Sequence, residues 1–318
     1  RERERNMTPV LPAFAGHVPQ AIQQKFPHAK ITSLGEWGDF DKAYQSYFLD
    51  PFDSLFSPIQ QAFLKEQTKL FGTDHVYGTD PVNEVTPPSW EPGYLASVSQ
   101  SIYNSMASVD KDAEWVQMGW IFYNNRAKWT DERIKAFITA IPQGKMILLD
   151  YFCENTEIWK FTKSFYGQPF IWCYLGNFGG NTMMEGDMKD VENKLNNTFE
   201  NGGNNFTGIG STLEGFGVNP VVYEFLFDKT WNDGKINVSD WISNWGQARY
   251  GMNDDNVSQA WKILLNTAYA HIDGIGRATL TNARPCFYGH SRWTTNDTIM
   301  YSNKDLLKAC ELLVKAVK

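Results

Sequence analysis

Short apolar or β-branched runs alternate with longer helical patterns from the N-terminus to about residue 220, which points to parallel βα units. Six runs read as strands: Met7 to Phe14, His75 to Asn83, Trp115 to Phe122, Met146 to Phe152, Phe170 to Leu175 and Phe206 to Leu213. Helical spacing fills the gaps, as in Pro58 to Phe71, stopped by Gly72, and Asp131 to Ile141, stopped by Pro142. Six units would suffice for a doubly wound open sheet but are two short of the eight in a (β/α)8 barrel. The barrel is favoured because the residues with chemical potential follow several different strands, each with a long loop after it. The predicted fold is therefore α/β, a (β/α)8 barrel that lacks its N-terminal units in this chain, followed by a mostly α-helical domain. Strand signals fade after about Tyr223, and helical patterns take over at Val238 to Trp245, Val257 to Tyr269 and Asp305 to Ala316. Residues 1–235 are thus assigned to part of the barrel and 236–318 to the start of an all-α domain.

The ends carry little information about compartment. Arg1 to Asn6 reads as the tail of a helix, and the last amphipathic helix has no cap after it, so further chain completing the barrel is expected. No run approaches the roughly 18 apolar residues of a membrane span, and no signal peptide opens the sequence. The net charge of −7 comes with no dense Lys/Arg block, so nucleic acid is not an expected partner. Cys153, Cys173, Cys286 and Cys310 have no metal or disulfide spacing, and the first two fall in apolar strand-like runs where buried free thiols are common. Sequons at Asn196, Asn205, Asn237, Asn256 and Asn296 matter only where a glycosylation pathway exists, and in so Asn-rich a chain chance explains most of them.

Chemistry concentrates at two glutamates. Glu84 follows the strand-like run His75 to Asn83 just before Pro87-Pro88, and Glu214 follows Phe206 to Leu213 between glycines. Glycoside cleavage needs one carboxylic acid to protonate the leaving oxygen and one carboxylate to attack or to activate water. A strand-end glutamate can equally be a capping or salt-bridging residue. Asn83 beside Glu84 favours the catalytic reading, because an amide there can bond a sugar 2-substituent. Aromatic residues make up 15% of the chain, and flat rings stack on the apolar faces of sugars as well as filling cores. Trp37, Trp120, Tyr151 and Phe178 each follow a strand or begin a loop, where such a ring could shape a hexose pocket; Trp120 and Phe178 could instead cap the barrel core.

Competing motifs are weaker. Gly208-Ile209-Gly210 lacks the third glycine of a dinucleotide site, no Walker lysine is present, and Ser211 lacks a nucleophile elbow. His17, His28, His75, His271 and His290 show no metal-ligand spacing, and only His17 lies where a pocket is expected. Neither a metal nor a cofactor is called for.

Several stretches together resemble the alpha-N-acetylglucosaminidases, glycoside hydrolase family 89. They are Met7 to Pro19, Phe71 to Gly78, Asn83-Glu84 with Pro87-Pro88 and Glu91-Pro92, Gly167 to Cys173, and Asn177 to Asn181. The resemblance runs over most of residues 7–225. It implies a retaining exo-hydrolase that removes terminal alpha-linked N-acetylglucosamine from glycans, with Glu84 as acid/base and Glu214 as nucleophile. By the family pattern Asn83, Trp37, Trp120, Tyr151, Leu175 and Phe178 line the pocket for the terminal sugar, and the source compartment is secreted, periplasmic or lysosomal. A pocket histidine that some relatives carry is not found around Gly274 to Arg277. Two alternatives stand beside this reading: a substrate-assisted route through the acetamido group, and a carbohydrate-binding fragment without turnover.

Overall fold

The computed structural model describes residues 1–37, 40–84, 86–177, 184–215, 219–272 and 300–317. In chain order the strands and α-helices are β1 (Leu11–Pro12), β2 (His17–Val18), α1 (Ile22–Lys25), β3 (Ile31–Ser33), β4 (Tyr47–Leu49), α2 (Phe56–Phe71), β5 (Val76–Gly78), α3 (Pro92–Ala107), β6 (Glu114–Met118), α4 (Trp120–Asn124), α5 (Asp131–Thr139), β7 (Met146–Asp150), β8 (Phe170–Tyr174), α6 (Met188–Asn201), β9 (Phe206–Ser211), α7 (Pro220–Lys229), α8 (Val238–Tyr250), α9 (Asp255–Leu265) and α10 (Asn303–Ala316).

The predicted runs form one six-stranded sheet in the order β1-β5-β6-β7-β8-β9. Parallel registers pair Leu11 with Tyr77, Tyr77 with Trp115, and Trp115 with Met146. Each strand is shorter than its apolar run. The run after β5 breaks early because Pro81 has no N–H to give a ladder, and Val82 and Glu84 take left-handed φ values of 53° and 54°.

A second sheet, β2-β4-β3, is antiparallel and lies in the excursion between β1 and α2. The sequence reading missed it. Strands of two or three residues are too short for an alternation to register against background, and it is the burial of Phe48 and Leu49 that holds this sheet in place.

The chain divides into two compact units: Arg1–Asp150 with Ile158–Ile171 and Asn204–Thr207, and Tyr151–Glu157 with Trp172–Gly203 and Gly208–Lys318. In the first, Trp115, Phe122, Trp129 and Phe137 meet edge to face with ring centroids 5.1 to 6.1 Å apart. This is the favoured aromatic geometry, and all four rings are buried. The buried Trp115 indole satisfies its N–H on the carbonyl of Thr79 at 2.7 Å.

In the second unit α8 and α9 have side-chain caps. Asn237 accepts the N–H groups of Ser239 and Asp240 before α8, and Asp254 those of Asn256 and Val257 before α9. α9 packs on both α8 and α10. The buried ammonium of Lys229 is matched by Glu192 at 3.3 Å, Asn196 at 2.7 Å and the Gly234 carbonyl at 2.5 Å, which anchors the turn after α7. Cys153 and Cys173 are buried and form no disulfide, as the apolar setting predicted. Among the described residues no helix is long and apolar enough to cross a membrane.

Candidate active site

Within the first unit, Trp37, Asn83, Glu84 and Trp120 come together. Glu84 is exposed, and its two oxygens each take an indole N–H: Trp120 Nε1 donates to Oε1 at 2.7 Å, and Trp37 Nε1 donates to Oε2. Trp37 comes from the loop between β3 and β4, and Trp120 opens α4 directly after β6. Gly119 makes that placement possible, since a Cβ there would lie 2.6 Å from the carbonyl oxygen of Leu149 on the neighbouring strand. Trp120 also stacks on Tyr123, with centroids 4.8 Å apart.

The loop carrying Glu84 is strained and braced. A β-branched residue in the left-handed region, such as Val82, costs about 1–3 kcal/mol, and residues held this way cluster at functional sites. Asp80 ties the loop to the end of β6: its Oδ1 accepts Gln117 Nε2 at 2.6 Å and the Met118 N–H at 2.9 Å. Burial pushes the Asp80 carboxyl up to about 7, against the pull of the Met118 N–H. Asn83 Oδ1 is buried and has no hydrogen-bond partner among the described residues. An unpaired buried acceptor is costly, and here it lies next to Glu84.

Within the second unit, Tyr151, Leu175 and Glu214 belong to one loop system. Thr212, two residues before Glu214, gives its N–H to the Tyr174 carbonyl at 3.0 Å and its hydroxyl to the Tyr151 carbonyl at 2.7 Å. The Glu214 N–H then goes to Asn177 Oδ1 at 2.9 Å. Asn177 is buried, whereas Glu214 is exposed. Leu175 is fully buried and takes part through its backbone: its carbonyl accepts the Tyr223 hydroxyl at 2.8 Å. Phe178 and the segment 274–277 lie outside the described residues, as do Cys286 and His290.

Two residues that the sequence reading did not single out fix this loop system. Asn177 is the first. Glu154 is the second: its Oε1 accepts the N–H groups of Leu175 at 2.9 Å and Gly176 at 2.6 Å. Burial pushes the Glu154 carboxyl up to about 7, opposed by those same N–H groups. The strand-end rule that selected Glu84 and Glu214 would also have found Glu154, four residues past β7. Gly176 has φ +73°, and a Cβ on it would lie 2.2 Å from the Tyr223 hydroxyl oxygen. His17 is exposed on β2, edge-on to Phe48 at 6.2 Å.

At the opposite, N-terminal ends of β5 and β6, His75, Asp110 and Asp112 gather their ligand-type atoms within 4.8 Å. His75 Nδ1 lies 2.8 Å from Asp110 Oδ2, which also accepts the Tyr77 hydroxyl at 2.8 Å. These bonds serve each other and clasp the strand starts.

Exposed carboxylates beyond the strand ends of a parallel βα array, with aromatic N–H donors around one of them, are the arrangement that barrel-type glycoside hydrolases use. The comparisons narrow the class. The chain matches the alpha-N-acetylglucosaminidase (NAGLU) tim-barrel domain over residues 1–233 and the C-terminal domain of the same family over 241–318. It is 37% identical to human alpha-N-acetylglucosaminidase over 316 residues, covering 98% of this chain and 42% of that protein. A family 89 glycoside hydrolase from Clostridium perfringens, solved with 2-acetamido-1,2-dideoxynojirmycin, superposes with a TM-score of 0.85 at 27% identity, covering 98% of this chain and 35% of that one. The same bacterial enzyme in complex with its substrate GlcNAc-alpha-1,4-galactose gives 0.84 at 26% identity, covering 97% of this chain and 34% of that one. The chain belongs to the alpha-N-acetylglucosaminidase family. Its sheet is therefore part of a tim-barrel domain with a helical C-terminal domain after it, the fold class read from the strand alternation. The chain spans less than half the length of the relatives it matches.

Proposed function

We propose that the protein carrying this chain is a retaining exo-glycoside hydrolase that removes terminal alpha-linked N-acetylglucosamine, with Glu84 as acid/base and Glu214 as nucleophile. Family membership supports the reaction class, and the substrate complex of the bacterial relative supports a glycan with N-acetylglucosamine at its end. The observation that carries the reading is Glu84, an exposed carboxyl held by two indole N–H groups beside an amide acceptor that has no partner among the described residues.

The chemistry follows from those contacts. Trp37 and Trp120 orient the Glu84 carboxyl through indole N–H groups that carry no charge of their own. Glu84 then gives a proton to the leaving oxygen while Glu214 attacks the anomeric carbon, and water deprotonated by Glu84 releases the sugar in a second step. Retention requires the two carboxyl groups about 5 to 5.5 Å apart. Asn83 Oδ1 suits the N–H of a 2-acetamido group, a donor that a plain 2-hydroxyl sugar replaces less well. The family resemblance assigns Trp37, Trp120, Tyr151, Leu175 and Phe178 to the binding of the terminal sugar, and by the same reading residues 1–235 belong to the barrel portion and 236–318 to the helical domain.

The test is the anomer released first. Proton NMR during hydrolysis of an aryl alpha-N-acetylglucosaminide is expected to show alpha-N-acetylglucosamine before mutarotation, with turnover abolished in Glu84→Gln and Glu214→Gln. Initial release of the beta anomer would refute retention, and saturable binding without product would leave a carbohydrate-binding module.

A further inference from the structure

The loop between β3 and β4 carries three rings in eight residues, all more than half exposed: Trp37 at 54%, Phe40 at 54% and Tyr44 at 75%. Trp37 and Phe40 lie nearly parallel, 10° apart with centroids at 5.6 Å, and Tyr44 stands edge-on to Phe40 at 6.1 Å. Scattered exposed rings need no explanation, but a contiguous strip does. This strip is also held in shape. Asp41 accepts the Ala43 N–H at 2.8 Å and so starts the single turn Lys42–Tyr44 that presents Tyr44, and Lys42 pairs with Glu36 at 3.8 Å.

The strip begins at the acid. Trp37 donates its indole N–H to Glu84, so one end of the row is fixed to the carboxyl that protonates the leaving oxygen, and Phe40 and Tyr44 lead away from it. The group attached to that oxygen is the part of the substrate that leaves. The geometry points to Phe40 and Tyr44 as the platform for the leaving-group sugar, a neutral pyranose whose C–H face stacks on the rings. Its hydroxyls meet the flanking Glu36, Asp41 and Lys42. A rigid aromatic has few rotamers to lose on binding, which suits a shallow, open subsite. The strip is neither basic nor long enough to track a phosphate backbone. This inference rests on the glycosidase reading for the identity of the first sugar.

The experiment compares two substrates in the whole protein: GlcNAc-alpha-1,4-galactose, and alpha-N-acetylglucosaminyl fluoride, whose leaving group has no ring. The ratio of kcat/KM for the disaccharide to that for the fluoride is expected to fall about tenfold in Phe40→Ala and in Tyr44→Ala, and to stay within about twofold in Tyr44→Phe, which keeps the ring. An unchanged ratio in both alanine variants overturns the assignment, as does an equal loss on both substrates. If neither substrate is turned over, the glycosidase reading falls and the platform is judged by calorimetry instead. Tighter binding of the disaccharide than of N-acetylglucosamine, with the excess lost in Tyr44→Ala, supports it; equal affinities overturn it.

Discussion

The side-chain oxygen of Asn177 accepts the backbone N–H of Glu214 at 2.9 Å, so a residue at the exit of β8 sets the loop from which Glu214 extends. The two are 37 residues apart in sequence. Asn177 is buried and Glu214 exposed, so the bond is partly shielded from competition with water. Replacing it with alanine orphans a backbone N–H and frees the loop. Asn177→Ala is expected to lower kcat on an aryl alpha-N-acetylglucosaminide by about 10- to 100-fold, the scale of a small misplacement of a reacting group. Asn177→Asp keeps the acceptor and should recover most of the loss. Steady-state kinetics on both variants checks this.

Asn83 presents the reverse case, a buried acceptor with no partner among the described residues. Removing it takes away a cost to the folded protein and a contact to the sugar. Asn83→Ala is expected to leave the urea midpoint unchanged or slightly raised while kcat/KM falls about 100-fold. Selectivity for the acetamido sugar over the matching alpha-glucoside should shrink with it. A drop in stability parallel to the drop in activity would mean that Asn83 serves the fold instead.

Glu154 makes stability depend on pH. Its carboxyl titrates near 7 in the folded protein, above its ordinary 4.5, so the folded state holds the proton more tightly than the unfolded chain. That contribution is full below about pH 4.5 and is lost as pH rises through 7. Glu154→Gln stays neutral and its Oε1 can still accept the Leu175 and Gly176 N–H groups. Denaturant unfolding at a series of pH values should find the variant equal to the parent at acid pH, and more stable by on the order of 3 kcal/mol at pH 8.

Gly176 sits against both Tyr223 and Tyr174 with a left-handed φ, so Gly176→Ala meets steric overlap and backbone strain at once. The expected loss is about 2–4 kcal/mol. Adding Tyr223→Phe removes the nearest blocking atom and should return part of it, leaving the backbone strain, the Tyr174 ring 2.6 Å from the new methyl, and the Leu175 carbonyl without its donor. Thermal melts of the parent, both single variants and the double variant isolate the hydroxyl's share, with Tyr223→Phe alone giving the cost of the lost Leu175 bond, and additive losses would show that the hydroxyl is not the obstacle.

What the sequence disclosed depended on the length over which a pattern persists. β6 and β7 were legible because Trp115, Met146 and Leu148 sit in apolar runs buried on the sheet. Helix starts were read from apolar spacing alone, which placed α8 at Val238, where it begins, and α9 at Val257, two residues past its first residue Asp255. Strand ends were overrun where an apolar residue continues past the last paired one, and Val82 is such a residue, buried yet left-handed in a turn. β2, β3 and β4 left no trace at two or three residues each. Glu84 and Glu214 stood out by type and flanking loops, and Trp37 and Trp120 by their loops. That both indoles reach Glu84, and that Asn177 and Glu154 hold the Glu214 loop, are long-range facts that no local spacing encodes.

The retaining mechanism turns on Glu214 forming a covalent bond to the sugar. A slow fluorinated N-acetylglucosaminyl substrate, incubated with the protein and followed by digestion and peptide mass spectrometry, tests it directly. The expected result is one added N-acetylglucosaminyl-type mass on the peptide containing Glu214, lost on prolonged incubation as the intermediate turns over and absent in Glu214→Gln. An adduct on a different carboxylate, or continued turnover with no adduct on any peptide, would contradict the assignment and favour assistance by the substrate's own acetamido group.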